Sequence, residues 1–454
     1  MNDSSSQAAA VARGGPVPAG ARRSWAVVGG GMLGLTLALR LVQRGHSVTV
    51  FEGAESLGGL ASAWQVGDVT WDRHYHVTLG SDAHMLSLLA ELGLDGDLEW
   101  GQTRTGVYAD GTLHSVSDVV EFLRFPPLSP LDKVRLGATI LYGAKITNWR
   151  RLEQLSVERW LTRWSGSRTF RTFWLPLLRS KLGDHYRITS AAFIWATTRR
   201  LYAARSAGMK VERFGYVGGG YARVLARFGE VLRSHGAKLE LGARVASVGG
   251  AADGVRVRLS DDVTHDFDRV VVTTASPVTA KLVEGLGEQE RRPHEGVRYQ
   301  GIVCASVLLR RPLAEFYVTN ITDDWVPFTA VIEMSTLVDA DRHLGGHALV
   351  YLPRYTAPSD AVTTASDDEI RASFVAALER MYPAFSPDDV LAFRVSRVRY
   401  VFPIPTINYS QRLPGVQTSV PGVFAVNSAH IVNGTLNVNE TVQLANRAVE
   451  VLER

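Results

Sequence analysis

Three glycines, Gly29, Gly31 and Gly34, lie between a short apolar run at 25–28 and a helical pattern at 35–42. A carboxylate, Glu52, closes the next apolar run, 47–51. The order strand, Gly-x-Gly-x-x-Gly, helix, strand, acid has one physical use, holding a dinucleotide. Gly29 permits the tight turn out of the strand, Gly31 lets backbone approach a pyrophosphate, and Gly34 lets helix and strand pack closely. The helix opens with the N–H groups of Met32, Leu33 and Gly34, which offer partial positive charge to phosphate oxygens. Glu52, followed by Gly53, has the oxygens to accept both ribose hydroxyls. No arginine follows it closely, so a 2′-phosphate has no evident partner.

Other residues could move protons. His74 and His76 are two apart, a spacing that puts both on one face if the backbone is a strand. The alternative for each is a core histidine that satisfies a backbone group. Glu333 ends the run Ala330-Val-Ile-Glu, where burial would raise its pKa toward that of a useful base. On alternation alone, a solvent-facing acid on an edge strand fits that position equally well. No third His or Cys stands at ligand spacing, so no metal is expected.

Further along, Gly58-Gly59-Leu60-Ala61 follows the acid at a spacing that resembles the second glycine motif of a flavoprotein superfamily. Its members include amine oxidases, protoporphyrinogen oxidases, phytoene-type desaturases and, more distantly, UDP-galactopyranose mutase. The resemblance implies non-covalent FAD, with Gly58 and Gly59 against the pyrophosphate and ribityl chain. Many members carry an arginine after the pair, where this chain has Leu60. The segment 214–245 resembles the family's middle part, in which Val245 would contact adenine through its backbone. The segment 422–442 resembles the C-terminal flavin motif, with Asn427 and Ser428 where relatives carry Gly-Asp. The helix entered at Asn437 and Val438 would aim its N–H groups at the flavin pyrimidine. The segment 71–76 carries the same resemblance, which adds Arg73 and His74 to the cofactor residues. His76, Glu333 and Tyr355, the last closing the segment 346–355, are then the candidates for catalysis.

The elements that would position these groups form an α/β protein. It consists of a Rossmann-like FAD-binding domain with an inserted substrate domain, a mixed or antiparallel sheet plus a helical subdomain. The FAD-binding segments are 24–100, 212–285 and 415–454, and the substrate domain is 101–211 and 286–414, after a disordered tail at 1–23. A chain of 454 residues exceeds the size at which one core keeps growing. The first insertion is rich in Trp and Arg, and its arginines read foremost as a solvated helical face. The sharper reading is that Arg179, Lys181, Arg199 and Arg200 line the mouth of a pocket for a substrate with a phosphate or other polar handle. The second insertion alternates β-branched and aromatic runs, which predicts a sheet.

A single cysteine, Cys304, in an apolar run, excludes an internal disulfide and fits a reducing, cytoplasmic setting. With 49 basic against 45 acidic residues, scattered along the chain, nucleic acid is not an expected partner. No apolar run is long enough for a transmembrane segment, and residues 1–23 lack the apolar stretch of a secretory signal. Three functions follow from the resemblance. The first is an FAD-dependent oxidase, dehydrogenase or desaturase that takes a hydride from a small organic substrate. The second is a redox-neutral mutase or isomerase acting on a sugar nucleotide or a related substrate. The third is a non-enzymatic binding protein on the same fold, which intact glycines at 29–34 and 58–59 argue against.

Overall fold

The computed structural model describes residues 22–206, 213–357, 360–432 and 434–454. The tail expected over 1–23 thus lies, up to residue 21, outside the described residues. Five parallel strands form one sheet in the order Lys238–Glu240, Ser47–Phe51, Ser24–Val28, Arg269–Val272, Val423–Ala425. One face buries Trp25, Val27, Val48 and Val50 beneath helices Met32–Gln43, Gly220–Ser234 and Val438–Leu452. The other face packs Val28, Phe51, Val270 and Val272 against Val245–Ala251, Gly254–Leu259 and Thr264–Phe267, a three-stranded antiparallel sheet. The central strands Ser24–Val28 and Arg269–Val272 are therefore apolar on both sides, which explains their unbroken hydrophobic runs.

A seven-stranded mixed sheet runs in the order Val390–Pro403, Tyr299–Leu309, Ala348–Thr356, Ala330–Glu333, Val318–Ile321, Thr105–Ala109, Thr112–Ser115. Its pairs are antiparallel except Val318–Ile321 with Thr105–Ala109, and its last two strands come from the first insertion. The central strand Tyr299–Leu309 is buried at all eleven positions. Val303, Ala305, Val307 and Leu309 face a core shared with helix Asp367–Met381. Ile302, Cys304 and Leu308 face Val66, Val69, Trp71 and Tyr216, which belong to the segments around the parallel sheet. Residues 119–206 form a helical layer with its own core around Trp160, Phe170, Trp174 and Trp195. Among the described residues no helix is long and apolar enough to cross a membrane, and no group of three metal-ligating side chains occurs.

Candidate active site

The first glycine turn shows which of its glycines the protein needs for itself. Gly29 has φ +114°, and a Cβ there would lie 2.5 Å from Thr273 Oγ1. A Cβ on Gly34 would lie 1.9 Å from the Gly29 carbonyl oxygen, so helix and turn close only without one. Gly31 differs: its φ is −75°, and an added Cβ meets only Gly58 O at 3.8 Å and Gly59 Cα at 4.0 Å. Nothing in the fold forbids a side chain at Gly31, so the space before it suits a group lying against backbone. Helix Met32–Gln43 starts there with no side-chain cap, which leaves its first N–H groups for an anion.

The second glycine turn is docked on the first. Gly58 N–H donates to Gly30 O at 2.8 Å, and Gly58 and Gly59 have φ +119° and +57°. The Glu52 carboxylate accepts Gly30 N–H at 2.8 Å and Ala54 N–H at 2.9 Å. It thereby fixes the turn and keeps lone pairs for two hydroxyls. A Cβ on Gly53 would lie 3.6 Å from Arg244, whose neighbour Val245 is thus brought to the far end of the same cleft. At the other end, Asn437 caps helix Val438–Leu452 by accepting Glu440 N–H at 3.0 Å. That cap leaves the N–H groups of Val438 and Asn439 at the open end of the helix. Glycine cradle, ribose acid and helix N-terminus thus suit the FAD that the resemblance implies.

Several expected site residues are placed otherwise. The strand that carries Trp71 ends at Asp72, so alternation does not govern His74 and His76, and they do not share a face. His74 is buried, its Nδ1–H donating to Leu60 O at 3.2 Å and its Nε2 accepting from Ser396 Oγ at 3.1 Å. Burial first, then neighbouring His76, pushes its pKa down to about 4, so the ring is neutral and pins the turn holding Leu60 and Ala61 to the seven-stranded sheet. His76 turns toward Asp72 (3.7 Å) and stacks on Tyr221, whose own N–H donates to Asp72 Oδ1 at 2.6 Å. It faces helix Gly220–Ser234 and not the sheet. The Arg73 guanidinium lies 5.0 Å over Trp64, a ring it shares with Arg394 at 4.5 Å. Asn427 is buried, its amide oxygen accepting Ala429 N–H at 3.1 Å and its amide nitrogen meeting Ser276. Ser428 meets the Tyr299 hydroxyl at 3.4 Å.

Glu333, for which the sequence left burial and exposure equally open, is buried, but on the wrong face for a base at this cleft. It pairs with Val350, which belongs to the core under helix Asp367–Met381. Its carboxylate accepts the N–H groups of Leu313 and Ala314 at 3.1 and 3.2 Å. Burial raises its pKa from 4.5 to about 7, against the pull of those hydrogen bonds. The fold therefore favours the protonated acid. The stability this gives is complete below pH 4.5 and is lost as pH rises to about 7, a change on the order of 3 kcal/mol. Denaturant unfolding of Glu333→Gln should show that this part of the pH dependence has gone, with the rate of flavin reduction unaltered. An unchanged pH slope, or a lost rate, would contradict this placement.

The face of the sheet turned toward the cleft carries Gln300, Ile302, Cys304 and Ser306, with Tyr355 opposite Ile302 and Phe402 opposite Gln300. The Tyr355 hydroxyl shares a 3.0 Å hydrogen bond with the hydroxyl of Tyr75, which sits between the two histidines and which sequence reasoning passed over. Lys181, from helix Leu175–Leu182, places its ammonium 5.9 Å from the ring centres of both Tyr355 and Phe402. Gln300 is 1% exposed, its amide nitrogen close to Gly183 and its amide oxygen without a hydrogen-bond partner. Of the four basic residues expected at a pocket mouth, only Lys181 reaches this face. Arg200 pairs with buried Asp82 at 2.9 Å, Arg199 lies over Trp195, and Arg179 lies over Tyr186. Cys304 is a core thiol, its pKa raised by burial.

The sequence model of the family described as flavin containing amine oxidoreductase matches residues 33–452. A 15-cis-phytoene desaturase of Synechococcus elongatus is 36% identical over 125 residues, which cover 27% of this chain and 25% of the desaturase. The chain thus aligns with about a quarter of that relative's length. Among solved structures, wild-type putrescine oxidase bound to putrescine superposes with TM-score 0.70 at 17% identity, over 96% of this chain and 100% of the oxidase. Reduced UDP-galactopyranose mutase gives TM-score 0.72 at 14% identity, over 95% and 93%. At such identities the two structures speak to fold alone.

Proposed function

The chain belongs to the flavin-containing amine oxidoreductases, enzymes with FAD as cofactor, and from that premise we propose that it oxidises a neutral or anionic organic molecule. The substrate is held between Tyr355, Gln300 and Lys181. FAD supplies the two-electron acceptor. Gly31, Gly59 and the N–H groups of Met32, Leu33 and Gly34 hold the pyrophosphate, Glu52 the ribose, and Val438 the pyrimidine edge.

The observation that carries this reading is the sheet face itself, where an ammonium, an unpartnered amide oxygen and a paired tyrosine hydroxyl converge. Lys181 attracts an acidic handle and repels a cation, so this site suits an amine cation poorly despite the family's name. Gln300 Oε1 accepts one substrate O–H or N–H. Tyr355, braced by Tyr75, accepts or donates a second hydrogen bond and orients the carbon that loses hydrogen. Phe402 and Ile302 wall off water.

A second reading, redox-neutral chemistry, is supported by the likeness in fold to the mutase. Candidate substrates mixed without oxygen with the oxidised holoprotein separate the two readings. Loss of the oxidised flavin absorption in a single turnover, with no added reductant, is the expected result. Turnover only after prior chemical reduction would overturn the oxidoreductase reading in favour of an isomerase.

A further inference from the structure

The outer face of the helical layer is apolar where it meets solvent and basic around its edge. Among the described residues, twelve large hydrophobic side chains are exposed, and seven of them fall between Val120 and Trp164. Helix Pro130–Lys145 provides the centre, with Leu131, Val134 and Leu141 between 51% and 67% exposed. At 100° per residue these positions, with exposed Arg135, Ala138, Tyr142 and Lys145, fill one continuous stripe. The opposite side of the same helix is well packed, burying Leu136, Thr139 and Gly143. Tyr142 stacks on Trp164 of helix Val157–Ser165 at 4.3 Å, so the patch continues onto a second helix. Lys133, buried outside the stripe, donates from Nζ to the carbonyl of exposed Leu123.

The charge around this face sets it apart from the rest of the molecule. Residues 119–171 hold ten Lys and Arg against four Asp and Glu, a net +6. The whole chain is +4, so everything outside the segment sums to −2. A monomer surface seldom leaves such an apolar patch open without a partner. A second copy of the chain is a poor occupant, because it would bring two segments of net +6 together. Residues 1–21 hold one acid, Asp3, and one base, Arg13, and so bring no complementary charge.

We propose that this face docks the protein on an anionic lipid surface. Leu131, Val134, Leu141 and Trp164 enter the headgroup boundary, and Arg135, Lys145 and Arg163 pair with lipid phosphates. The side chains project from a convex helix and do not line a groove, the geometry of an amphipathic helix lying in a membrane interface. Basic side chains bordering it gain from the negative surface potential of such a bilayer. Since no helix among the described residues is long and apolar enough to cross a membrane, the proposed attachment is peripheral and reversible.

The test is flotation of the FAD-loaded protein with vesicles of phosphatidylcholine alone and of equimolar phosphatidylcholine and phosphatidylglycerol. Binding to the anionic vesicles alone, weakened by added salt, is the expected result. A Leu131→Gln/Val134→Gln/Leu141→Gln variant should bind them roughly tenfold less or worse, since three exposed apolar contacts are lost. Its flavin content and melting temperature should match the parent protein, because those side chains touch water and not the core. No binding to anionic vesicles would overturn the proposal. So would full binding by the triple variant. A parent dimer that the variant abolishes, without vesicle binding, would identify a second copy as the occupant. Retention of an acidic polypeptide or of DNA, but not of vesicles, would also refute it.

Discussion

A Gly31→Val protein should fold, purify in normal yield and carry no FAD. The backbone at Gly31 is extended, with φ −75° and ψ 173°, which valine adopts readily. The nearest atoms to an added Cβ are 3.8 Å away, an ordinary contact. The protein therefore pays no penalty for the side chain, while its methyl groups fill the space assigned to the pyrophosphate. Removing two charge-assisted N–H to phosphate hydrogen bonds weakens binding by roughly 3–6 kcal/mol, about a hundredfold or more. Thermal unfolding checks both halves: added FAD should raise the melting temperature of the parent protein but not of the variant. Gly34→Ala provides the contrast. Its Cβ would stand 1.9 Å from a backbone oxygen, so the turn itself must break and soluble protein should be scarce. A Gly31→Val protein with stoichiometric flavin would show that the pyrophosphate lies elsewhere.

The second large effect belongs to Lys181. Lys181→Met should lower kcat/KM by about a hundredfold, the weight of a charge-assisted contact with a partly buried partner. The loss should fall in KM, with limiting kcat retained, because a handle held equally in ground and transition states contributes uniform binding. Lys181→Arg should recover part of it. Arg199→Gln should leave both parameters unaltered, since that guanidinium lies over Trp195 of its own helix and away from the sheet face. Arg200→Gln should instead destabilise the fold by leaving the buried Asp82 carboxylate unpaired. An unchanged KM in Lys181→Met, with flavin content normal, would remove the acidic handle from the account and leave the cofactor assignment standing.

The glycine turns were readable in the sequence because their constraints are local. A turn between strand and helix needs Gly29 and Gly34 whatever lies beyond, and Glu52 follows from the end of the next strand. The sheet strands were readable from composition, but the direction of their side chains was not. Tyr299–Leu309 is buried on both faces, so it shows no alternation that would reveal which residues look at the cleft. Glu333 illustrates the consequence: alternation left burial and exposure equally open, and its face depends on pairing with Val350 on the next strand. His74 and His76 diverge because the strand before them stops at Asp72. Lys181 looked no different from Arg199 and Arg200 in sequence. Only the packing of its helix against Tyr355 and Phe402 separates them. Tyr75 and Gln300 had no signal of their own, one masked by flanking histidines and the other by an apolar strand.

The crystal structure of the FAD-loaded protein tests the central assignment most directly. The pyrophosphate should lie between Gly31 and Gly59, with the adenosine ribose on Glu52. The isoalloxazine should have its pyrimidine edge at Val438 and its open face toward Tyr355, Gln300 and Lys181. A flavin ring lying against Glu333, or in the pocket of His76 and Tyr221, would contradict the account.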